Sequence, residues 1–187
     1  NEHSASHGGG FMQVFSNGLS GLSAQDLLLN ERPDLGYSLY DVHSDGSGAA
    51  YSSRLRPILN MRPGVTNAWV GQAGTFPWQF NADLPLLDFM NHHGIACDVA
   101  TDEDLHREGL GLLSRYRVVM TGSHPEYYSK PMLDGLQAYT ERGGRLMYLG
   151  GNGFYWRVAY HPDLPGVLEL RRGEDGREQQ ALAEGED

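Results

Sequence analysis

The sequence contains one cysteine, Cys97, among its 187 residues. A single cysteine cannot form an intramolecular disulfide, and it excludes a zinc site built from several cysteines, which suits a reducing cytoplasm. The neighbours of Cys97, Ile95 and Ala96, are apolar. We therefore interpret Cys97 as a small core residue rather than as a nucleophile.

Long hydrophobic runs are missing as well. No stretch approaches the roughly 18 apolar residues of a membrane-spanning helix, and Asn1–Ser4 has neither the basic nor the apolar region of a secretion signal. We expect a soluble, cytoplasmic chain that has no membrane partner. The first residue is not methionine, from which we expect the sequence to be a fragment of a larger protein.

Basic residues are few: 14 Lys and Arg stand against 24 Asp and Glu, for a formal net charge of −10. Nucleic acid is therefore an unfavourable partner, because binding phosphates requires clustered positive charge. Part of the excess comes from residues 171–187, which we predict to be an acidic, solvated tail. The remaining chain is only mildly acidic.

Residues 1–80 lack strong hydrophobic periodicity. They contain a Gly-rich run, many turn residues and one short predicted helix over 24–30, opened by Ser23. Loop-rich segments of this kind are stable only when they pack on a scaffold, and they commonly carry function. We predict that 1–80 packs on, and contributes to, the functional site.

Residues 81–170 alternate between strand and helix patterns. This alternation predicts an α/β core with a doubly wound, mostly parallel sheet. The predicted elements are an apolar-faced helix from near Asp83 that ends at Gly94, a strand over Ile95–Ala100, a capped helix start at Thr101–Asp104, a fully buried strand over Tyr116–Thr121, a helix over Pro131–Arg142 opened by Ser129 and closed by Gly143, and a strand over Arg145–Leu149.

Ligand sites of open parallel sheets lie beyond the carboxyl ends of the strands. This rule selects two loops, Gly122–Tyr128 and Gly150–Trp156. In the first loop, His124 and Glu126 are two residues apart, so in an extended backbone both side chains face the same side. We predict that they share one pocket.

Each of these site residues has a structural alternative. The Glu126 carboxylate could instead cap the helix that begins near Ser129, and from these residues alone the two interpretations have equal weight. Asn152, in the second loop, could hold a carbonyl oxygen or a water. It could instead occupy a left-handed turn position, which asparagine tolerates, and from this residue alone we favour the turn interpretation.

A third polar cluster covers Tyr37–Gly48. His43 and Asp45 could form an acid/base or metal-binding pair, although a loop histidine with a structural partner is commoner. Arg54 and Arg56 follow, and we favour structural ion pairs over anion binding for them. The remaining histidines are assigned no chemistry: His92 and His93 at a predicted helix end, His106 and His161.

Several of these segments together resemble the large (β) subunit of N,N-dimethylformamidase and its relatives. The matching segments are Tyr40–Gly48 with Arg54–Pro57, then His124–Tyr128, then Gly150–Trp156. The last two motifs in tandem are more specific than either alone. The resemblance covers most of residues 1–170 and implies a fold similar to glutamine amidotransferase-like, flavodoxin-like α/β domains.

The resemblance also implies a mononuclear iron, expected as Fe³⁺, held by two tyrosines and a glutamate. Matched by motif, the metal ligands in this chain are Tyr40 and Glu126, and the catalytic residues are Asn152 and His124. The second tyrosine of the family would fall two positions before residue 1, and a further catalytic glutamate lies beyond the C-terminal boundary. The fragment is therefore expected to lack part of its coordination shell and to be inactive alone.

The leading hypothesis is an iron-dependent hydrolase of a small N-alkylated amide, which yields an amine and a carboxylate. We also expect an oligomer, which could include a small companion subunit. A nucleophilic amidotransferase is disfavoured because Cys97 lacks the glycine-flanked strand-to-helix elbow that such chemistry needs. A non-catalytic binding module on the same scaffold is the alternative.

Overall fold

A computed structural model describes residues 28, 31–39, 41, 43–58, 80–172 and 178–179. The predicted ligand Tyr40 lies outside the described residues, as do most of the predicted helix over 24–30 and most of the predicted tail. The elements are a 3₁₀ helix (Pro33–Leu35), β1 (Tyr51–Ser53), α1 (Phe80–His92), α2 (Asp102–Glu108), α3 (Leu110–Leu113), β2 (Val118–Met120), β3 (Tyr127–Ser129), α4 (Lys130–Glu141), β4 (Arg145–Met147), β5 (Trp156–Tyr160), β6 (Val167–Glu169), β7 (Arg171–Arg172) and β8 (Glu178–Gln179).

Helix α1 corresponds to the predicted apolar-faced helix, and it ends at His92, just before Gly94. Gly94 has φ 65°, a left-handed conformation that glycine adopts without strain. The helix begins at Phe80, three residues before the predicted start near Asp83, and it contains Pro85. The prediction is confirmed except at the N-terminal boundary.

Helices α2 and α4 begin at the predicted caps. Thr101 Oγ1 accepts a hydrogen bond from Asp104 N at 3.1 Å, and Asp104 Oδ2 accepts one from Thr101 N at 3.0 Å, which is a reciprocal capping box. Ser129 is the N-cap of α4, and Gly143, with φ 84°, follows its end. Local side-chain chemistry therefore fixes the start of α2, and α4 starts at the predicted serine.

The described strands combine parallel and antiparallel pairs. β2 pairs with β4 in parallel, and β3 pairs with β5 in parallel. β5 then pairs with β6, and β6 with β1, both antiparallel. α4 connects both parallel pairs, as expected for α/β proteins. The arrangement of a complete doubly wound sheet stays a prediction.

Three predictions about strands and burial are wrong. Residues Ile95–Ala100 form no strand, and Cys97 is exposed rather than in the core. The predicted segment has no ladder partner among the described residues, so nothing buries alternate side chains. The strand predicted over Tyr116–Thr121 exists as β2, but Val118 is 44% exposed, so it is not fully buried.

Two apolar clusters hold the described part of the chain together. The first lies where α4 packs on α2 and α3, around the fully buried Met132. The second joins β3, β5 and β6 to Leu39, which also has no exposed surface. Leu39 therefore attaches the loop-rich N-terminal half to the sheet.

No helix among the described residues has both the length and the apolar character needed to span a membrane.

Candidate functional site

The two loops selected from the sequence lie side by side. One loop precedes β3 and the other precedes β5. Because β3 and β5 pair in parallel, their main-chain hydrogen bonding extends into the two loops. The predicted loops are therefore brought together at one edge of the fold. Three main-chain hydrogen bonds join them: Gly151 N to Ser123 O at 3.1 Å, Phe154 N to Pro125 O at 2.8 Å and Trp156 N to Glu126 O at 2.9 Å.

Gly150 makes this close contact possible. A Cβ atom at this position would lie 2.5 Å from Pro125 Cδ and 2.6 Å from Ser123 O. Contacts this short do not occur between real side chains and backbone, so any larger residue would force the loops apart. The glycine is required here for close backbone approach rather than for a special φ angle.

His124 and Glu126 contact each other. Glu126 N donates to His124 O at 2.9 Å, so Pro125 stands at the centre of a three-residue turn. His124 Nε2 lies 3.2 Å from Glu126 Oε2. Glu126 is only 8% exposed. The structure thus places a buried carboxylate beside an imidazole.

The helix-capping alternative for Glu126 does not describe this geometry. Ser129 occupies the N-cap position of α4, and the described contact of the Glu126 carboxylate is with His124. Tyr40, the other ligand implied by the resemblance, lies outside the described residues. Its neighbour Leu39 packs in the same apolar cluster as Tyr127, which directly follows Glu126.

Asn152 adopts the left-handed conformation that its structural alternative requires, with φ 49°. Its side chain is exposed. The next residue, Gly153, donates a hydrogen bond from its backbone N to Tyr148 Oη at 3.0 Å. The backbone thus agrees with a turn-forming role. The preceding residue, Gly151, lies near the His124 ring, because a Cβ atom there would be 3.9 Å from His124 Nδ1.

Aromatic side chains of the two loops pack against each other and against Tyr148. The ring of Phe154 stands edge-on to Tyr128, with centroids 4.9 Å apart, and stacks on Tyr148 at 5.9 Å. Tyr128 is 5% exposed, and burial raises its pKa above the ordinary phenol value. Phe154 and Tyr155 remain 42% and 58% exposed. Half-exposed aromatic rings therefore border the loops.

His43 and Asp45 lie in a turn, and each side chain has a structural partner there. Asp45 Oδ1 accepts hydrogen bonds from Ser47 N at 2.9 Å and from Ser47 Oγ at 2.6 Å. These bonds lower the pKa of Asp45. The His43 ring instead packs edge-on against Tyr37 at 5.0 Å. Both side chains have structural partners, as is common for loop residues.

The two arginines have structural partners. Arg54 Nε lies 3.1 Å from Glu103 Oε2, which links the N-terminal half to α2. Arg56 is buried and donates from Nε to Ser52 Oγ at 3.0 Å. The ion-pair interpretation is confirmed for Arg54.

Sequence reasoning did not find three side chains that support this region. Asp83 Oδ1 accepts a hydrogen bond from Ser123 N at 2.7 Å, and Tyr148 supports Gly153. His106 Nδ1 lies 2.8 Å from Ser129 Oγ. Each contact joins residues distant in the sequence or separated by an irregular loop, so no local pattern signals it.

The set of metal ligands implied by the resemblance includes tyrosine, and Tyr40 is not described. Among the described residues, no group of three or more His, Cys, Asp or Glu side chains is placed to hold a metal ion. Glu126 is therefore the one member of the implied ligand set whose surroundings the structure describes.

Comparison with known proteins gives consistent matches. Residues 16–187 match the family described as "N,N-dimethylformamidase beta subunit-like, C-terminal". The chain is 46% identical over 152 residues to the N,N-dimethylformamidase beta subunit of Paracoccus aminophilus, covering 81% of this chain and 19% of that protein. It is 47% identical over 137 residues to the same subunit from an Alcaligenes species, covering 73% of this chain and 17% of that protein. The chain thus spans about a fifth of the length of the curated relatives it matches.

Proposed function

The chain belongs to the N,N-dimethylformamidase beta subunit-like family, and we propose that its Glu126 loop forms part of the active site of an iron-dependent hydrolase of small amides. The relatives' names supply the reaction class. The observation that supports it most directly is the contact between the buried Glu126 carboxylate and His124, at the junction of two strand-end loops.

The donor atoms fit iron. Carboxylate and phenolate oxygens are hard ligands, which suit Fe³⁺. Glu126 Oε2 contacts His124, while Oε1 accepts no hydrogen bond among the described residues. One oxygen is thus held in place and the other remains available for a ligand. We propose that Glu126 and Tyr40 hold the iron together with a tyrosine outside this chain.

When bound, the metal would supply Lewis-acid activation of the amide carbonyl and of water. The chain's own residues would orient the reactants. His124 fixes the rotamer of Glu126, as residues behind a metal ligand commonly do. Asn152 would donate a hydrogen bond to the oxygen that gains negative charge during attack, a contact worth roughly 10²–10³ in rate when lost.

The bordering aromatic rings favour a compact, alkylated substrate. Phe154 and Tyr155 present half-exposed rings beside the Glu126 loop. The apolar faces of aromatic rings stabilise N-alkyl groups by contact. We propose a small N-alkylated amide as the substrate class, with an amine and a carboxylate as products.

The relatives are named as beta subunits, so we propose that the complete protein assembles with a companion subunit in the cytoplasm. The alternative, a binding module without catalysis, predicts neither metal nor turnover.

The test is metal analysis with visible absorption spectroscopy on the whole protein that contains this chain. Iron(III) tyrosinate gives a charge-transfer colour. Glu126→Ala should remove iron and colour while leaving the folded structure intact. Glu141→Ala, at an exposed position of α4, is the matched control and should retain both. A colourless, iron-free parent protein would contradict the proposal and favour the binding module. Stoichiometric iron in Glu126→Ala would contradict the ligand assignment.

A further inference from the structure

Asp83 supports the Glu126 loop from a distant helix. It lies in the first turn of α1, and its Oδ1 accepts a hydrogen bond from Ser123 N at 2.7 Å, 40 residues further along the chain. Ser123 immediately precedes His124. The contact therefore acts on the peptide that leads into the His124–Glu126 turn.

Gly122 brings the Asp83 carboxylate against the loop backbone. A Cβ atom on Gly122 would lie 3.2 Å from Asp83 Oδ1 and 3.4 Å from Oδ2. The carboxylate thus occupies the space that a side chain at 122 would need. The glycine and the carboxylate together fix the distance between α1 and the loop.

Ser123 also continues the hydrogen bonding into the second loop. Ser123 donates through its N–H to Asp83 and accepts through its carbonyl from Gly151 N at 3.1 Å. Gly151 precedes Asn152. One short chain of hydrogen bonds thus runs from α1 to both loops that carry the proposed site residues.

The usual role of an acidic residue in a first helical turn is to stabilise that helix end. Asp83 differs, because its described hydrogen bond goes to Ser123 and not to the free N–H groups of α1. The Asp83 carboxylate therefore links α1 to the Glu126 loop.

We infer that Asp83 is a positioning residue, which holds the Ser123 peptide so that His124, Glu126 and Asn152 keep their relative placement. The inference rests on the proposed function to the extent that these three residues act in catalysis. The anchoring contact itself is independent of iron and of turnover.

The experiment compares Asp83→Ala, Asp83→Asn and the control Asp88→Ala in the whole protein. Asp88 is exposed on the same helix. In Asp83→Ala, hydrogen exchange at Ser123 N should accelerate roughly tenfold or more, as expected for a lost bond to a charged acceptor. The kcat for amide hydrolysis should fall by about the same factor, with KM little changed. Asp83→Asn keeps an acceptor oxygen and should restore most of both, while Asp88→Ala should match the wild type.

Gly122→Ala tests the contact from the other side, because its methyl group would lie 3.2 Å from Asp83 Oδ1 and press on the carboxylate. Exchange at Ser123 should become faster than in the wild type, by less than in Asp83→Ala. Gly111→Ala is the matched control, since a Cβ there meets nothing within 4 Å.

Wild-type exchange at Ser123 in Asp83→Ala would overturn the inference, and so would a loss of kcat that Asp83→Asn does not restore. If the wild-type protein hydrolyses no amide, the proposed function fails. The exchange rates then still decide whether Asp83 holds the loop.

Discussion

His124 Nε2 and Glu126 Oε2 lie 3.2 Å apart across a single proline. Two residues in an ordinary strand point to one side but do not touch in this way. The main-chain bond from Glu126 N to His124 O tightens the backbone around Pro125 and brings the side chains together. The pairing is therefore built into the local chain, while the neighbouring loop carries the third proposed site residue, Asn152.

His124→Ala should weaken iron binding or turnover by about 10–100-fold, the usual cost of removing a residue that orients a metal ligand. Iron should still bind at saturating concentration, because Glu126 remains. Iron titration and steady-state kinetics on the whole protein measure both effects. His93→Ala, an exposed histidine after α1, serves as control. If iron affinity and turnover are unchanged in His124→Ala, the contact between His124 and Glu126 has only a structural role.

Asn152→Gly separates the turn from the chemistry. Glycine accepts φ 49° freely, so the folded state should keep its stability while the amide is lost. Turnover should fall by roughly 10² or more if the amide holds the oxyanion. Asn152→Ala should additionally destabilise the protein by about 1 kcal/mol, because alanine resists the left-handed region. Urea unfolding and kcat together check this. Full activity in Asn152→Gly would leave Asn152 only its turn-forming role.

Tyr148→Phe removes the hydroxyl that accepts from Gly153 N and keeps the ring that stacks on Phe154. The expected cost is about 1 kcal/mol in unfolding free energy, a typical value for one hydrogen bond. Hydrogen exchange at Gly153 should become faster. Tyr155→Phe is the control, since the Tyr155 hydroxyl makes no hydrogen bond among the described residues. Equal exchange in both variants would show that the Tyr148 hydroxyl does not hold the loop.

The start of α2 should make stability depend on pH. Hydrogen bonds from Thr101 to the Asp104 carboxylate lower the pKa of Asp104. A lowered folded-state pKa stabilises the protein above the unfolded value of about 3.9, and this stabilisation is lost as pH falls through the folded pKa. Asp104→Asn should therefore destabilise the protein near pH 7 and lose that penalty in the acid range. Thermal unfolding between pH 7 and pH 3 measures the difference, and a constant difference would contradict the assignment.

Local chemistry made much of the fold predictable. Thr101 and Ser129 mark helix starts by their own side chains, and Gly94 and Gly143 mark helix ends by their backbone freedom. Such signals act within a few residues, so a sequence pattern contains them. The position of both loops followed from one topological rule about strand ends.

The remaining features depend on tertiary contacts. The strand pattern over Ile95–Ala100 has no described partner, and strands form only when a neighbour completes their hydrogen bonds. β3 has only three residues, and its pairing with β5 is not visible locally. The contact of Asp83 with Ser123 spans 40 residues and involves a main-chain donor, which every non-proline residue has.

The tight packing at Gly150 also limits how this site can diversify. Three main-chain hydrogen bonds hold the two loops in a fixed register, and the Pro125 ring fills the space beside Gly150. An inserted or deleted residue between Ser123 and Glu126, or between Gly151 and Trp156, would disturb this pairing. The geometry therefore tolerates side-chain exchange at exposed positions such as Phe154 and Tyr155 more readily than a change in loop length.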